Sequence, residues 1–447
     1  MHLSETKQKV VRNLFWAVTG KVVTLLGSLL VGIFVARYLG PEQYGLMNYV
    51  VSFVALFQVF ASFGLDNIEI REESKCKGTG EKGRVPDAEA NAILGTAFGL
   101  RLIFAGITML LVILTAWLFE ADTFTKWMIT LYSLSMIMNT FGVIRNYFTS
   151  IVWNEYIVKT ELSRTIIGAL IKVVLLLLHA PLAWFIAASL FDTILIAGGY
   201  LLSYRKQIAS PRLWTFDLPT AKYLIKESFP LLLSGAAIIV YQRIDRLMLG
   251  NMLDKTAVGY FSVASSFVEV CIFIPSVISS TITPILVQLY QSNKTDYLQR
   301  AQQFMNVTIW ICIIMAFFVC LVAKPLVKYT FGLQYISAVP VLQVLVFKVV
   351  GLALMYTSGQ MIIISGKQDL GVIRNIVACV ASVLLNFLLI PIYGVLGAAI
   401  AGVVAFMFAG FLCQCFIPPF FYILKMQVRA LLLGWKDVFS IKQIFKK

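Results

Sequence analysis

Apolar stretches of roughly twenty residues recur along the whole of this 447-residue chain, each long enough to cross the hydrocarbon of a bilayer as a helix. A soluble domain of this size would carry far more charge than 13% Asp, Glu, Lys and Arg against 59% hydrophobic residues. With a mean hydropathy of +0.85, the chain reads as an all-α polytopic membrane protein. Twelve spans can be drawn, at about 14–37, 44–65, 92–118, 127–150, 162–178, 182–203, 229–252, 258–288, 303–323, 337–365, 371–391 and 395–424. The first is longer than the ~7–15-residue core of a signal peptide and is followed by no small-residue cleavage site, so it is expected to stay as a helix.

The loops between these spans separate the basic residues. One side, made of the N-terminus, 66–91, Arg145 to Arg164, 204–228, 289–302, 366–374 and the C-terminal tail, holds 26 of the 37 Lys and Arg. The other side holds five: Arg37, Lys126, Lys255, Lys324 and Lys328. This is the positive-inside pattern, and with an even number of spans it puts both termini in the cytoplasm. It also accounts for the net charge of +15 without nucleic acid as a partner. The loops of the other side are short and leave no outer domain for catalysis. The Glu72–Glu73 pair sits in a mixed-charge cytoplasmic segment and reads as solvated surface.

The polar linker at 204–228 falls near the middle, which divides the chain into a six-helix lobe over 1–212, a second over 213–425 and a basic tail over 426–447. Two joints support the division. Arg37 to Gly45 joins the first two spans, and Arg246 to Gly250 with Val258-Gly259-Tyr260 joins the seventh and eighth. Each places Leu-Gly at the end of one helix and an aromatic–Gly pair at the start of the next, as repeated halves of a transporter would.

Six cations lie inside apolar spans: Lys21, Arg101, Lys172, Arg243, Arg246 and Lys348. A cation at the bilayer centre costs about 2.5–3.5 kcal/mol on insertion scales, so it faces water, a partner or a ligand. Helical spacing puts small or polar residues beside each one, such as Ala97 and Ala105 beside Arg101, Gly168 beside Lys172 and Gly351 beside Lys348. Arg101, Lys172 and Lys348 are deepest and are expected to line a pathway, with structural ion pairs as the alternative. Arg246 is near the outer interface, and Lys21 is close enough to the cytoplasmic end to snorkel. Few acids share the spans. Glu269, Asp245 and Asp192 are candidates for proton or sodium coupling, or for neutralising the cations. No cofactor and no metal ligand set is expected, because the seven Cys form no CxxC and His2 and His179 are the only histidines. Nucleotide-loop, GxSxG and HExxH signatures are absent, so the chain is not expected to be an enzyme or to drive transport with ATP. The tail from Lys425, rich in Leu, Trp and cations, is expected to lie on the anionic cytoplasmic leaflet.

Four local patterns carry a family resemblance: ARYLGPEQYG at 36–45, FGLD at 63–66, YQRIDRLMLG at 241–250, and LNFLLIPIYG at 385–394 followed by GAA at 397–399. They resemble the polysaccharide-exporter branch of the MOP flippase superfamily, the Wzx-type oligosaccharide flippases, over about residues 8–425. That resemblance implies a MOP/MATE-like fold in a bacterial or archaeal inner or plasma membrane. It also implies a cargo: a polyprenyl (pyro)phosphate-linked oligosaccharide repeat, turned from the cytoplasmic to the outer leaflet by alternating access for O-antigen, capsule or exopolysaccharide. Its partners would be that cargo, membrane lipid and a polysaccharide polymerase. Arg can chelate a pyrophosphate bidentately and Lys can neutralise it, so a basic interior agrees. A MATE-like ion-coupled multidrug antiporter would want acids around a cationic drug. A membrane polymerase or glycosyltransferase would want a large outer or acid-rich catalytic loop.

Overall fold

The computed structural model describes residues 2–76, 86–366 and 368–438, with side chains throughout these except at 2–19, 21, 368–370 and 438. Among the described residues the regular elements are all helices. Nine helical stretches among the described residues are long and apolar enough to cross a membrane, and the chain is a multi-pass membrane protein. One of them, Val22–Ser62, is 41 residues long and belongs to α1 (His2–Ser62), whose backbone turns at Gly40 (φ 73°, ψ 173°) just before Pro41. Only glycine takes that conformation readily, and proline cannot donate to the turn before it. The predicted first and second spans are therefore two helices meeting at this corner.

The chain divides into two compact units, residues 1–39 with 49–239 and residues 40–48 with 240–447. The first contains α2 (Leu65–Glu73), α3 (Ala88–Phe119), α4 (Thr123–Ser133), α5 (Ser135–Met138), α6 (Gly142–Ser150), α7 (Asn154–Leu177), α8 (Leu182–Gln207) and the start of α9 (Leu218–Met252). The linker after α8 packs down: Trp214 Nε1–H donates to Tyr204 Oη at 3.0 Å and the Asp217 amide donates to Thr96 Oγ1 at 2.9 Å. These contacts carry the first unit past residue 212. The 66–91 segment was expected to be a polar loop, but it opens with α2. Phe63 and Gly64 turn the chain at positive φ, and a Cβ on Gly64 would stand 2.7 Å from the Leu232 amide. α2 then buries Leu65 and Ile68 in a core with Leu94, Tyr147 and Tyr204.

The second unit takes the end of α9, then α10 (Lys255–Ser292), α11 (Lys294–Thr330), α12 (Ala338–Leu345), α13 (Lys348–Ile364), α14 (Gln368–Tyr393), α15 (Val395–Gly410), α16 (Phe421–Leu433) and α17 (Trp435–Val438). The two joints that look alike in sequence meet here. Neither Gly45 nor Gly259 has room for a Cβ, the first because of the Lys255 carbonyl and the second because of the Pro41 carbonyl. Tyr44 and Tyr260, the aromatic partners of those glycines, both set their edges against Tyr335.

Three predicted spans are broken. The 127–150 span divides into α4, α5 and α6, with a 3₁₀ turn at Asn139–Phe141 before the last. The 337–365 span tightens between α12 and α13, where Phe347, Val349 and Val350 donate to the carbonyls of Val344, Val346 and Phe347, three residues back, at 3.2, 3.0 and 3.0 Å. Such 3₁₀ bonds inside a long helix mark a hinge or strain, and valines here lower helix propensity. The 395–424 span ends at Gly410 and continues as short turns over Leu412–Phe416 and Pro418–Phe420 before α16. The adjacent Pro418 and Pro419 cannot donate helical bonds there.

Candidate functional site

The intramembrane cations with described side chains stand in two separate ion-paired sites in the first unit and in one group in the second. In the first unit Arg101, on α3, is 4% exposed. Its Nε–H donates to Glu69 Oε1 at 2.6 Å, and Nη2–H donates to Glu69 Oε2 at 2.9 Å and Asp66 Oδ1 at 2.8 Å. Asn146, on α6, donates from Nδ2 to the same two acids at 2.6 and 3.0 Å. Two carboxylates and one guanidinium thus tie α2, α3 and α6 together. Lys172 is paired as well: its Nζ–H donates to Asp192 Oδ2 at 2.6 Å between α7 and α8. Gly168 makes that pair possible, because any side chain there would collide with the Asp192 carboxylate.

The acids that hold Arg101 come from the segment read as loop, and the reading of Glu72–Glu73 as solvated surface is half corrected. Glu73 is fully buried, since the helical turn of α2 puts it on the face that carries Leu65 and Glu69. Burial and the neighbouring Glu69 carboxylate push its carboxyl well above the usual range. Glu72 stays near the surface and bonds Arg71 and Lys75. The missed signal was the spacing of Leu65, Ile68, Glu69 and Glu73, a helical face whose acids answer an arginine buried elsewhere. Lys21 lies on α1, and its side chain is outside the described residues.

The second unit collects the rest. Asp245, on α9, is 1% exposed and its Oδ1 accepts from Asn386 Nδ2 at 2.8 Å, while Oδ2 has no hydrogen-bond partner. A Cβ on Gly402 would stand 3.6 Å from that Oδ2 and 4.0 Å from Lys348 Nζ. Carboxylate and amine therefore both approach α15 at Gly402. Lys348, the first residue of α13 after the 3₁₀ break, holds its Nζ 4.4 Å from the Phe406 ring centre, a cation–π contact. Asp245, Arg246, Glu269 and Arg243 all act on it electrostatically. Arg246 is 6% exposed, and its Nη2–H reaches Glu269 Oε1 at 3.4 Å, a long contact to an exposed acid. Three cations here answer two acids.

A further buried cation adjoins this group. Arg374 was counted with the 366–374 loop, yet α14 begins at Gln368 and leaves Arg374 only 7% exposed. Its Nη1–H donates to Ser358 Oγ at 3.2 Å and its Nε has no partner. The titratable groups acting on it are Tyr241 and Cys413, neither a carboxylate. The Tyr241 ring meets Phe406 edge-on at 5.0 Å, so Arg374, Tyr241, Phe406 and Lys348 form one strip. Chemically the second cluster can hold an anion, because its cations exceed its acids and one of them lacks an ion pair. The first cluster is already neutralised from within the protein.

Comparison with known proteins bears on the whole chain. The family model described as polysaccharide biosynthesis protein matches residues 10–290, and the MatE model matches residues 230–388. Over 177 residues the chain is 27% identical to the capsular polysaccharide biosynthesis protein CapF of Staphylococcus aureus, covering 39% of this chain and 44% of that protein. The chain thus spans less than half the length of that curated relative. Among solved structures it is similar to the lipid II flippase MurJ in an inward closed conformation, with a TM-score of 0.69 and 13% identity over 97% of this chain and 93% of the other. It is also similar to an inward-facing multidrug resistance MATE family transporter of the MOP superfamily, with a TM-score of 0.63 and 16% identity over 95% and 96%. At these identities the likeness fixes the fold, which is the one MOP-superfamily transporters share.

Proposed function

We propose, on the premise that this chain belongs to the polysaccharide biosynthesis protein family of MOP-superfamily membrane transporters, that it is a flippase for a polyprenyl (pyro)phosphate-linked oligosaccharide. It takes the repeat unit from the cytoplasmic to the outer leaflet, works by alternating access, and supplies a surface-polysaccharide polymerase. Both termini lie in the cytoplasm, in keeping with the 26-to-5 split of basic residues between the loops.

The observation that carries this reading is the excess of cations over acids around Asp245. Lys348 and Arg243 meet the phosphates, with Arg246 and the newly found Arg374 flanking them, and Arg374 has a bidentate fork suited to a diphosphate. Arg101 and Lys172 hold helices in register and act on the cargo only through that frame. Asp245 is the preferred coupling acid: its Oδ2 has no hydrogen-bond partner and lies near Gly402 with Lys348 Nζ, so a proton or cation arriving there competes with Lys348 for the carboxylate and frees the lysine for the cargo's phosphate. Glu269 and Asp192 each already hold a cation.

The test is deletion of the gene followed by localisation of lipid-linked saccharides. Complete repeats held on the cytoplasmic face support the flippase. Single repeats reaching the outside unpolymerised point instead to a polymerase. The MatE match over 230–388 favours one second reading, an ion-coupled drug antiporter. Under that reading the deletion strain exports polysaccharide normally and becomes sensitive to cationic drugs.

A further inference from the structure

The second unit contains a cavity of about 820 Å³ away from the Asp245 cluster. It opens between the end of α10, the first turns of α11 and the length of α16. Ligand sites typically measure about 300–1,000 Å³, so its size suits an organic ligand better than a single ion.

Its walls have an uneven chemistry. Lys294, Lys425 and Arg429 bring three cations. The one acid, Asp437, already accepts from Asn306 Nδ2 at 2.6 Å. Tyr297 is 2% exposed, yet its hydroxyl has no hydrogen-bond partner, and a buried polar group left so costs stability until something meets it. Its ring packs edge-on to Tyr290 at 5.1 Å, and both tyrosines line the cavity.

The α16 wall is built in. Gln302 Nε2–H donates to the Met426 carbonyl at 2.9 Å, and Trp310 Nε1–H donates to the Ala430 carbonyl at 2.8 Å. From the other face of α16, Gln427, fully buried, donates to the carbonyls of Leu354 and Gly410 at 3.0 and 2.9 Å. Gly434 lets the chain turn there, since a Cβ would stand 2.9 Å from the Trp310 ring. One turn beyond Arg429 along the same face of α16, Leu432 (69% exposed) and Leu433 (50%) present apolar side chains. Cations and a hydroxyl donor within, with exposed leucines one turn on, match an amphiphile lying at a membrane interface.

We propose that this cavity binds the phosphate-bearing polar head of a lipid whose chains rest on Leu432 and Leu433. Lys425 and Arg429 take the phosphate, Lys294 closes it from α11, and the Tyr297 hydroxyl donates to the head. Two lipids share that chemistry, a prenyl-diphosphate sugar and an anionic phospholipid. The proposal stands on the cavity alone and does not depend on the flippase reading.

The test uses the full chain purified in detergent. Binding is followed by thermal shift with three probes: farnesyl-diphosphate-linked N-acetylglucosamine, phosphatidylglycerol and phosphatidylcholine. One of the two anionic probes binds, and K425Q/R429Q weakens it by about tenfold or more, as loss of two charge-assisted contacts requires. Y297F weakens it by a few-fold through one lost hydrogen bond. An effect confined to the first probe assigns the site to the prenyl-linked sugar, and one confined to the second assigns it to membrane phospholipid. Unaltered binding of both anionic probes by the well-folded double variant and by Y297F overturns the proposal. If the double variant elutes as aggregate, K425Q and R429Q singly decide the matter on the same criterion.

Discussion

The two charged clusters begin from the same sequence signal and end in opposite states. In the first unit Arg101 is met by Glu69 and Asp66, and Lys172 by Asp192. In the second, Lys348 stands over an aromatic face with Asp245 nearby, and Arg374 donates to a serine hydroxyl. A cation inside an apolar span therefore has no fixed role. Whether the fold brings an acid to it decides between clamp and binding group, and that acid can come from outside the span.

Removing the answering acid in the first unit is expected to have the largest effect. Glu69→Ala removes two of the three ionic hydrogen bonds of the buried Arg101 and leaves it only the half-exposed Asp66 as a carboxylate partner, which should destabilise the unit by about 3 kcal/mol and be visible as a lowered midpoint in thermal unfolding of the detergent-purified protein. A midpoint equal to wild type would mean that Arg101 reaches water. Gly168→Ala, which forces Asp192 off its present position beside Lys172, should cost about 1–3 kcal/mol by overpacking, read in the same scan. The same change at Gly106, where a Cβ meets nothing within 4 Å, is the neutral control.

Glu73 offers a pH handle on the first unit only. Its folded pKa is raised, so the folded state binds its proton more tightly than the unfolded chain does. Its contribution is complete below the usual carboxylate pKa and is lost as pH rises through the folded value. Stability of the wild type should therefore fall over that interval, and Glu73→Gln should flatten the slope. An unchanged slope in the variant would show that Glu73 is ionised in the fold. A smaller effect is expected in the second unit from Glu269→Gln. Its contact with Arg246 is long and its side chain 54% exposed, so unfolding should shift by well under about 1 kcal/mol.

How much of this could be read beforehand follows from which interactions are local. Span positions depend on twenty-residue apolar runs, and most fell where hydropathy put them. The break before Lys348 is not legible, because Phe347 is an ordinary helix residue and valines like those around it also occur in spans that stay helical, as Val263 and Val268 do in α10. The end of α15 at Gly410 was hidden among other glycines of the same stretch, Gly397 and Gly402, which stay helical. Glu69 and Glu73 looked like surface because their sequence neighbours Arg71, Glu72 and Lys75 are charged. Only the return of α2 against α3 and α6 buries them. Arg374 was misplaced by proximity to Lys367 and Asp369, two charges that suggested a loop. Apart from Arg374, the cations of these spans are visible in the sequence, but their partners, brought from distant segments, are not.

The central claim is that the second cluster serves the cargo and the first serves the fold. Lys348→Gln and Arg101→Gln, expressed in the deletion strain, test it most directly when surface polysaccharide and the unfolding midpoint are measured on the same two proteins. The account predicts that Lys348→Gln abolishes export and leaves lipid-linked repeats on the cytoplasmic face with a midpoint near wild type, whereas Arg101→Gln lowers the midpoint and loses export only in proportion to the folded protein that remains. Normal export by Lys348→Gln, or loss of export by a fully stable Arg101→Gln, would contradict it.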